Sequence, residues 1–335
     1  MDRVREIADA VLYEGYVLWP YRRSAMKNRQ RWTFGGVHPP GWSEEHPDDA
    51  STMQTELLVE GDGDESVRVS VRFLHVVRRE VARRTGAGGL ELVDELTVGG
   101  ERHLAWDEAA ERELVAPPAR LDALARTPFV MRIDIPGERR EEPLHHPDGS
   151  PAGAIVRSWE PLAGSIEIAA HPLRSGLLRL TVRIDNATPW DGATREDVMR
   201  RTFCSTHTVV EAERAELVSL TDPAEELREE AAACRNRGTW PVLAGEKGDR
   251  STILSSPIIL SDYPEIAPES PGDLFDGGEI DGMLVLNILA LTDEEKAEMR
   301  DSDPKTREIL ERTEALSNDE LMNLHGAVRD FRMVR

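Results

Sequence analysis

The stretch VRVSVRFLHVVR, residues 67–78, alternates between apolar and polar side chains over most of its length. Its odd positions carry Val, Val, Val, Phe, His and Val, whereas arginines and a serine fall on even positions. Because successive side chains of a strand point to opposite faces of a sheet, this period of two predicts a half-buried β-strand. His75 falls on the apolar face, where a hydrogen-bonded core histidine is the expected arrangement.

Similar alternation occurs elsewhere in the chain. It extends over 129–135 and 178–184, and two shorter candidates cover 165–169 and 207–210. Clusters of Gly, Pro and Asp separate these segments, and no long helical pattern intervenes. The sequence therefore predicts a β-rich α+β protein with an antiparallel sandwich or barrel core and short N-terminal and C-terminal helices.

Three segments carry helix signals. Residues 3–18 place apolar side chains at helical spacing. Pro223 follows a Leu-Thr-Asp sequence and predicts the first position of a helix that runs to Cys234. Thr292 and Glu295 have the spacing of a capping box, which predicts another helix start.

The length of 335 residues suggests more than one folded unit, since single cores usually stop growing near about 250–300 residues. We divide the chain into an N-terminal segment (1–36), a β-rich core domain (37–220) and an acidic α+β C-terminal region (221–335). No apolar run reaches the ~18 residues of a membrane span, and the N-terminus lacks the pattern of a secretory signal. Two cysteines are too few for a disulfide framework. These observations predict a cytoplasmic protein without a membrane partner.

Charge is distributed unevenly along the chain. Residues 1–36 carry seven Lys+Arg against four Asp+Glu, a formal charge of +3. Residues 37–335 carry 34 against 59, a formal charge of −25, and the whole chain has −22. This acidity argues against nucleic acid as a partner, because phosphate binding requires a concentrated positive field.

The positive charge is concentrated in YEGYVLWPYRRSAMKNRQRWTFGG, residues 13–36, which we name the basic aromatic segment. It holds six of the seventeen aromatic residues and five basic ones. Trp, Tyr and Arg dominate binding hot spots, so we predict a protein-binding role, with ordinary core tryptophans as the alternative. The predicted partner-binding residues are Tyr16, Trp19, Tyr21, Arg22, Arg23, Lys27, Arg29, Arg31 and Trp32.

A second unusual stretch is SSPIILSDYPEIAPESPGDLFDGGEID, residues 255–281, which we name the acidic proline-rich segment. Residues 261–281 contain seven acids, three prolines and no Lys or Arg. The prolines exclude regular helix and inner strand, so we predict a long extended segment that receives the basic aromatic segment of the same chain or of another subunit. Its predicted partner-binding residues are Asp262, Tyr263, Glu265, Glu269, Asp273 and Phe275.

Cys204 and His207 have the spacing of two metal ligands. Two ligands are half a site, and in a regular strand these side chains would point to opposite faces. A buried, unreactive cysteine beside a surface histidine is therefore the favoured interpretation. The alternative is a metal-handling protein or a hydrolase in which Cys204, His207 and the carboxylates of 262–276 share a pocket.

The segments at 13–36 and 255–281, with the TDEEK helix start at 292–296, make the chain resemble a bacterial family whose genes lie near uptake nickel–iron hydrogenase genes. The resemblance implies an accessory protein for the assembly, maturation or organisation of a hydrogenase system, and it supplies no catalytic residues. No common motif of nucleophilic catalysis, phosphate binding or zinc proteolysis occurs.

The main prediction is a non-catalytic accessory or interaction protein, without a cofactor, that binds a protein partner or a second copy of itself. A structural subunit of a homo-oligomer, in which the opposite charges meet between copies, is a further alternative.

Overall fold

A computed structural model describes residues 2–13, 34–61, 64–86, 88–265, 285, 287–302 and 304–317. The strands are β1 (Thr52–Glu60), β2 (Ser66–Arg84), β3 (Leu90–Val93), β4 (Glu95–Val98), β5 (Glu101–Leu104), β6 (Trp106–Val115), β7 (Ala119–Arg120), β8 (Phe129–Ile135), β9 (Glu138–His145), β10 (Pro151–Trp159), β11 (Leu162–Arg174), β12 (Leu177–Asn186), β13 (Cys204–Glu213), β14 (Glu216–Leu217), β15 (Trp240–Leu243) and β16 (Thr252–Ser256).

The helices are short and lie before, between and after the strands. They are α1 (Asp2–Tyr13), α2 (Pro40–Glu45), α3 (Leu121–Arg126), α4 (Arg195–Met199), α5 (Arg228–Ala232), α6 (Asp293–Ser302) and α7 (Pro304–Glu314), with a 3-10 turn at Glu225–Leu227. None of the helices in the described ranges combines the length and the apolar character that crossing a membrane requires.

The strands form two principal antiparallel sheets. The first has the order β14-β1-β12-β11-β8, and the second has the order β15-β16-β13-β2-β10-β9. Strand β2 organises the second sheet, because its 19 residues pair with β13 and β10 along one edge and with β7, β6 and β3 along the other. The strands predicted within 67–78, 129–135, 165–169, 178–184 and 207–210 are all confirmed.

The inner faces of the two sheets pack against each other. Leu57, Ile166 and Leu180 of the first sheet join Val71 and Phe73 of β2 in one cluster, and all five are inaccessible to solvent. Burying a side chain of this size contributes roughly 1.5–3 kcal/mol. The described strands therefore form an open sandwich and not a closed barrel, and the predicted β-rich α+β class is confirmed.

The second face of β2 is buried as well. Leu74 and Val76 belong to a second cluster that includes Leu12 of α1 and apolar side chains of α6 and α7. Every residue of β2 from 71 to 77 is buried, so the prediction of a half-buried strand is wrong there. The cause is tertiary, because helices distant in sequence cover a face that the local pattern assigns to solvent.

Two of the three helix predictions are supported by the described residues. Helix α1 buries Ile7, Ala8, Val11 and Leu12 and partly buries Val4, and residues 14–18 of that prediction lie outside the described ranges. The capping box is confirmed, because the N–H of Glu295 donates to Thr292 Oγ1 at 3.2 Å and the N–H of Thr292 donates to Glu295 Oε2 at 3.0 Å. This reciprocal pair of hydrogen bonds fixes the start of α6.

The helix predicted to start at Pro223 begins later, at Glu225, with a 3-10 turn. Thr221 does not cap it, since its hydroxyl donates to Asp262 Oδ2 at 2.7 Å. This partner lies 41 residues away in the sequence. The helix ends at Ala232, close to the predicted end.

Candidate functional site

Strand β13 contains a bulge where it pairs with β2. Cys204 lies opposite Leu74 and His207 lies opposite Arg72, so β13 has an extra residue between these two pairs. Ser205, inside the bulge, has a φ of 51°, a left-handed conformation that costs a non-glycine residue roughly 1–3 kcal/mol. Bulges and strained residues cluster at functional sites, which makes this position the centre of the candidate site.

The bulge brings Cys204 and His207 to the same face of the sheet. Leu74 and Arg72 are two residues apart and share a face of β2, so their partners across the ladder share it too. The thiol of Cys204 is fully buried and lies 3.6 and 3.7 Å from two backbone carbonyl oxygens that it can donate to. Burial raises the pKa of this thiol, which keeps it protonated at neutral pH. The predicted burial of the cysteine is confirmed.

His207 is completely buried, so the prediction of a surface histidine is wrong. Its Nδ1–H donates to the carbonyl oxygen of Ser205 at 3.2 Å, which leaves the lone pair on Nε2. Nε2 is buried and has no hydrogen-bond partner in the described part of the chain. Burial, followed by the positive charge of Arg72, lowers the pKa of His207 to about 4. The imidazole is therefore neutral near pH 7.

Arg72 holds the centre of an ionic network on the same face. Its side chain is 5% exposed, and Nη2 lies 2.6 Å from Asp9 of α1 and 3.5 Å from Glu111 of β6. The hydroxyl of Tyr13 donates to the other oxygen of Glu111 at 2.7 Å. Burial and this hydrogen bond raise the pKa of Tyr13, so the phenol remains protonated. The network ties the last turns of α1 to β2 and β6.

Both ends of the basic aromatic segment are fixed at the bulge. The hydroxyl of Ser205 donates to the carbonyl oxygen of Val11, in the last turn of α1, at 3.0 Å. The N–H of Ser205 donates to the carbonyl oxygen of Phe34 at 3.1 Å, and the N–H of Thr206 donates to that of Gly35 at 2.9 Å. The chain is therefore bound to this bulge at Val11, just before the segment begins, and again at Phe34 and Gly35.

The predicted partner-binding residues of the basic aromatic segment fall between these two anchors. Tyr16, Trp19, Tyr21, Arg22, Arg23, Lys27, Arg29, Arg31 and Trp32 all lie outside the described residues. What the structure adds is the position of the points at which the segment is attached.

The acidic proline-rich segment is attached to the same helix. Ile258 and Leu260 pack against the cluster formed by Ile7, Ala8 and Val11 of α1. Gly35 has a φ of +57°, and a Cβ atom there would come 2.5 Å from Cγ of Pro257. Past the segment, Val285 and Ile288 belong to the hydrophobic cluster of Leu12 and Tyr13. Residues within and just after the acidic proline-rich segment thus pack against α1, the helix that leads into the basic aromatic segment.

Three of the predicted residues of the acidic segment are described. Asp262 accepts hydrogen bonds from the hydroxyls of Ser219 and Thr221 and, at 2.8 Å, from the N–H of Leu243. Tyr263 packs against the main core, and Glu265 is exposed. Glu269, Asp273 and Phe275 lie outside the described residues. Asp262 thus contacts other elements than the bulge that holds Cys204 and His207.

His75 confirms the prediction of a hydrogen-bonded core histidine. It is fully buried, and its Nε2–H donates to the carbonyl oxygen of Glu160 at 3.0 Å. Its Nδ1 accepts from Nη2 of Arg112 at 3.2 Å and from Nε at 3.3 Å. Burial, followed by the charge of Arg112, lowers the pKa of His75 to about 4.

A polar cluster around His38 was not predicted. Nε2 of this buried histidine is 3.7 Å from Asp49, which also accepts from Nε1 of Trp42 at 2.9 Å and pairs with Arg195. Burial lowers the pKa of His38. The sequence around His38 and Trp42 has the Gly and Pro content of an ordinary loop, and Arg195 reaches Asp49 from 146 residues away. No local signal could have revealed the cluster.

The side chains of this site are either uncharged or already paired. Its thiol and phenol are protonated, its imidazole is neutral, and its guanidinium is already paired with two carboxylates. Among the described residues, no group of three or more His, Cys, Asp or Glu side chains could hold a metal ion. No model of a known protein family matches the chain, and neither does any curated protein.

Proposed function

We propose that the protein is a non-catalytic interaction protein that presents the basic aromatic segment to an acidic surface of a protein partner. The observation that carries this proposal is the attachment of both ends of the segment to Ser205, at the bulge of β13. A long segment held at its two ends on a rigid sheet is a common architecture for binding loops.

The charges of the two segments support an electrostatic role. Between the anchors, residues 14–33 carry five basic residues and Glu14, a formal charge of +4. Residues 266–284 carry five acids and no base, a formal charge of −5. Residues on both sides of 266–284 pack in clusters with α1, which leads into the basic segment, so the acidic segment is suited to cover the basic one until a partner competes for it. The resemblance to a hydrogenase-associated family makes the components of a hydrogenase system the first partners to test.

The experiment is capture from native extract with immobilised protein, using variants that leave both anchors intact. In the first variant, Arg22, Arg23, Lys27, Arg29 and Arg31 are changed to Gln. In the matched control, five exposed arginines outside the segment are changed to Gln, namely Arg68, Arg83, Arg102, Arg126 and Arg139. Both variants remove five positive charges, so net charge alone cannot explain a difference between them.

We expect the segment variant to lose the partner and the control to retain it. Because exposed charges are screened by salt, capture by the wild-type protein should also weaken between about 0.05 and 0.5 M salt. Equal capture by both variants and the wild-type protein would remove the basic aromatic segment from the proposed function.

A further inference from the structure

Most edge strands of the two sheets are protected against pairing with another chain. β14 has only two residues, β6 and β9 each carry five charged residues, and β9 also contains Pro143. β15 contains Pro241, and the backbone of Leu243 is bonded to Asp262 and Tyr263. Short length, charge, proline and coverage are the known devices that prevent edge-to-edge association.

β8, at the end of the first sheet, has fewer of these devices. It has seven residues, no proline and two charged side chains, Arg132 and Asp134. All seven residues pair with β11 on one edge, and no strand in the described part of the chain pairs with the other edge. Val130 on its outer face is 53% exposed. The edge offers unpaired backbone groups beside a partly apolar surface.

The two charges of β8 are arranged so that the strand is complementary to itself. Arg132 and Asp134 are two residues apart and both are exposed on the outer face. In an antiparallel pair of β8 strands with Ile133 opposite Ile133, each Arg132 faces an Asp134 of the other copy. Met131 then faces Ile135 on the inner face, which continues the apolar core across the junction.

Other registers are disfavoured. Shifting the pairing by two residues places Arg132 opposite Arg132 or Asp134 opposite Asp134, and like charges directly opposite destabilise a sheet. Shifting it by one residue places Arg132 and Asp134 opposite apolar residues of the inner face of the other copy. Among registers within two residues of each other, the charges of β8 therefore favour the symmetric one with Ile133 opposite Ile133.

We propose that two copies of this chain associate through β8, antiparallel about a two-fold axis, to form one continuous sheet from the two five-stranded sheets. This inference goes beyond the proposed function, because it depends on β8 and on neither of the two charged segments. It predicts a dimer whose stability depends on the Arg132–Asp134 pairs.

The test is sedimentation velocity of the full chain over a range of concentrations, with charge-reversal variants. The wild-type protein should dimerise, and Arg132→Asp or Asp134→Arg alone should each weaken dimerisation by about tenfold or more, since each places like charges opposite each other twice. An equimolar mixture of the two variants should restore dimers, because opposite charges then face each other between unlike copies. The double variant should dimerise alone.

The control is Arg139→Asp on edge strand β9, which makes the same charge change at an exposed position and should leave dimerisation unchanged. Circular dichroism verifies that each variant is folded. A wild-type chain that stays monomeric at every concentration overturns the proposal. Dimers that survive both single substitutions, or a mixture that fails to restore them, also overturn it.

Discussion

Between about pH 6.5 and pH 4, the wild-type protein is expected to lose about 3 kcal/mol more of its free energy of unfolding than the His75→Gln variant loses. His75 is buried in β2, and its Nδ1 accepts from the guanidinium of Arg112 at 3.2 Å. A proton on Nδ1 would break this bond and place two cations in contact. Burial and the charge of Arg112 accordingly lower the pKa of His75 to about 4.

The sign follows from which state binds the proton. An unfolded histidine, with a pKa near 6.5, is protonated below that pH, whereas His75 in the folded protein stays neutral down to about pH 4. The contribution of His75 to stability is therefore complete above about pH 6.5 and is lost as the pH falls through about 4. Since each pH unit of this difference is worth about 1.4 kcal/mol, the whole difference corresponds to ~3 kcal/mol.

The assay is urea unfolding followed by circular dichroism from about pH 8 to about pH 4, for the wild-type protein and His75→Gln. Glutamine keeps a donor and an acceptor but does not titrate, and other titrating groups, including His207, contribute equally to both proteins. The same substitution at the exposed His171 is the matched control. If wild type and His75→Gln lose the same free energy of unfolding between these pH values, the reasoning is refuted.

Three further outcomes are expected. Arg72→Met should lower the free energy of unfolding, measured by urea unfolding at neutral pH, by ~1–3 kcal/mol. The effect is smaller than for a fully buried ion pair because the side chain of Asp9 is about half exposed. Gly35→Ala should lower it by ~1–3 kcal/mol, since φ is +57° and Pro257 occupies the space of the new Cβ; a thermal midpoint equal to wild type would contradict this. The thiol of Cys204 should not react with a thiol reagent at about pH 8 until the protein is unfolded in urea, because it is buried and protonated.

The sequence by itself determined features that depend on near neighbours. The period of two over 129–135 and 178–184 specified strands, because alternation alone separates the two faces of a pleated chain. The spacing of Thr292 and Glu295 specified a helix start, because both partners of a capping box lie within one turn. The β-rich α+β class follows from the sum of such local signals, whereas the choice of a sandwich over a barrel came from the structure.

Only the tertiary structure decided what depends on distant partners. Arg72 is buried because Asp9 and Glu111, 63 and 39 residues away, balance its charge. The bulge at Ser205 turns two side chains of β13 to one face and holds both ends of the basic aromatic segment, and no pattern in the segment itself encodes that attachment. A residue's local sequence sets its intrinsic preference, but burial and charge balance are properties of the surfaces that fold onto it, and these come from elsewhere in the chain.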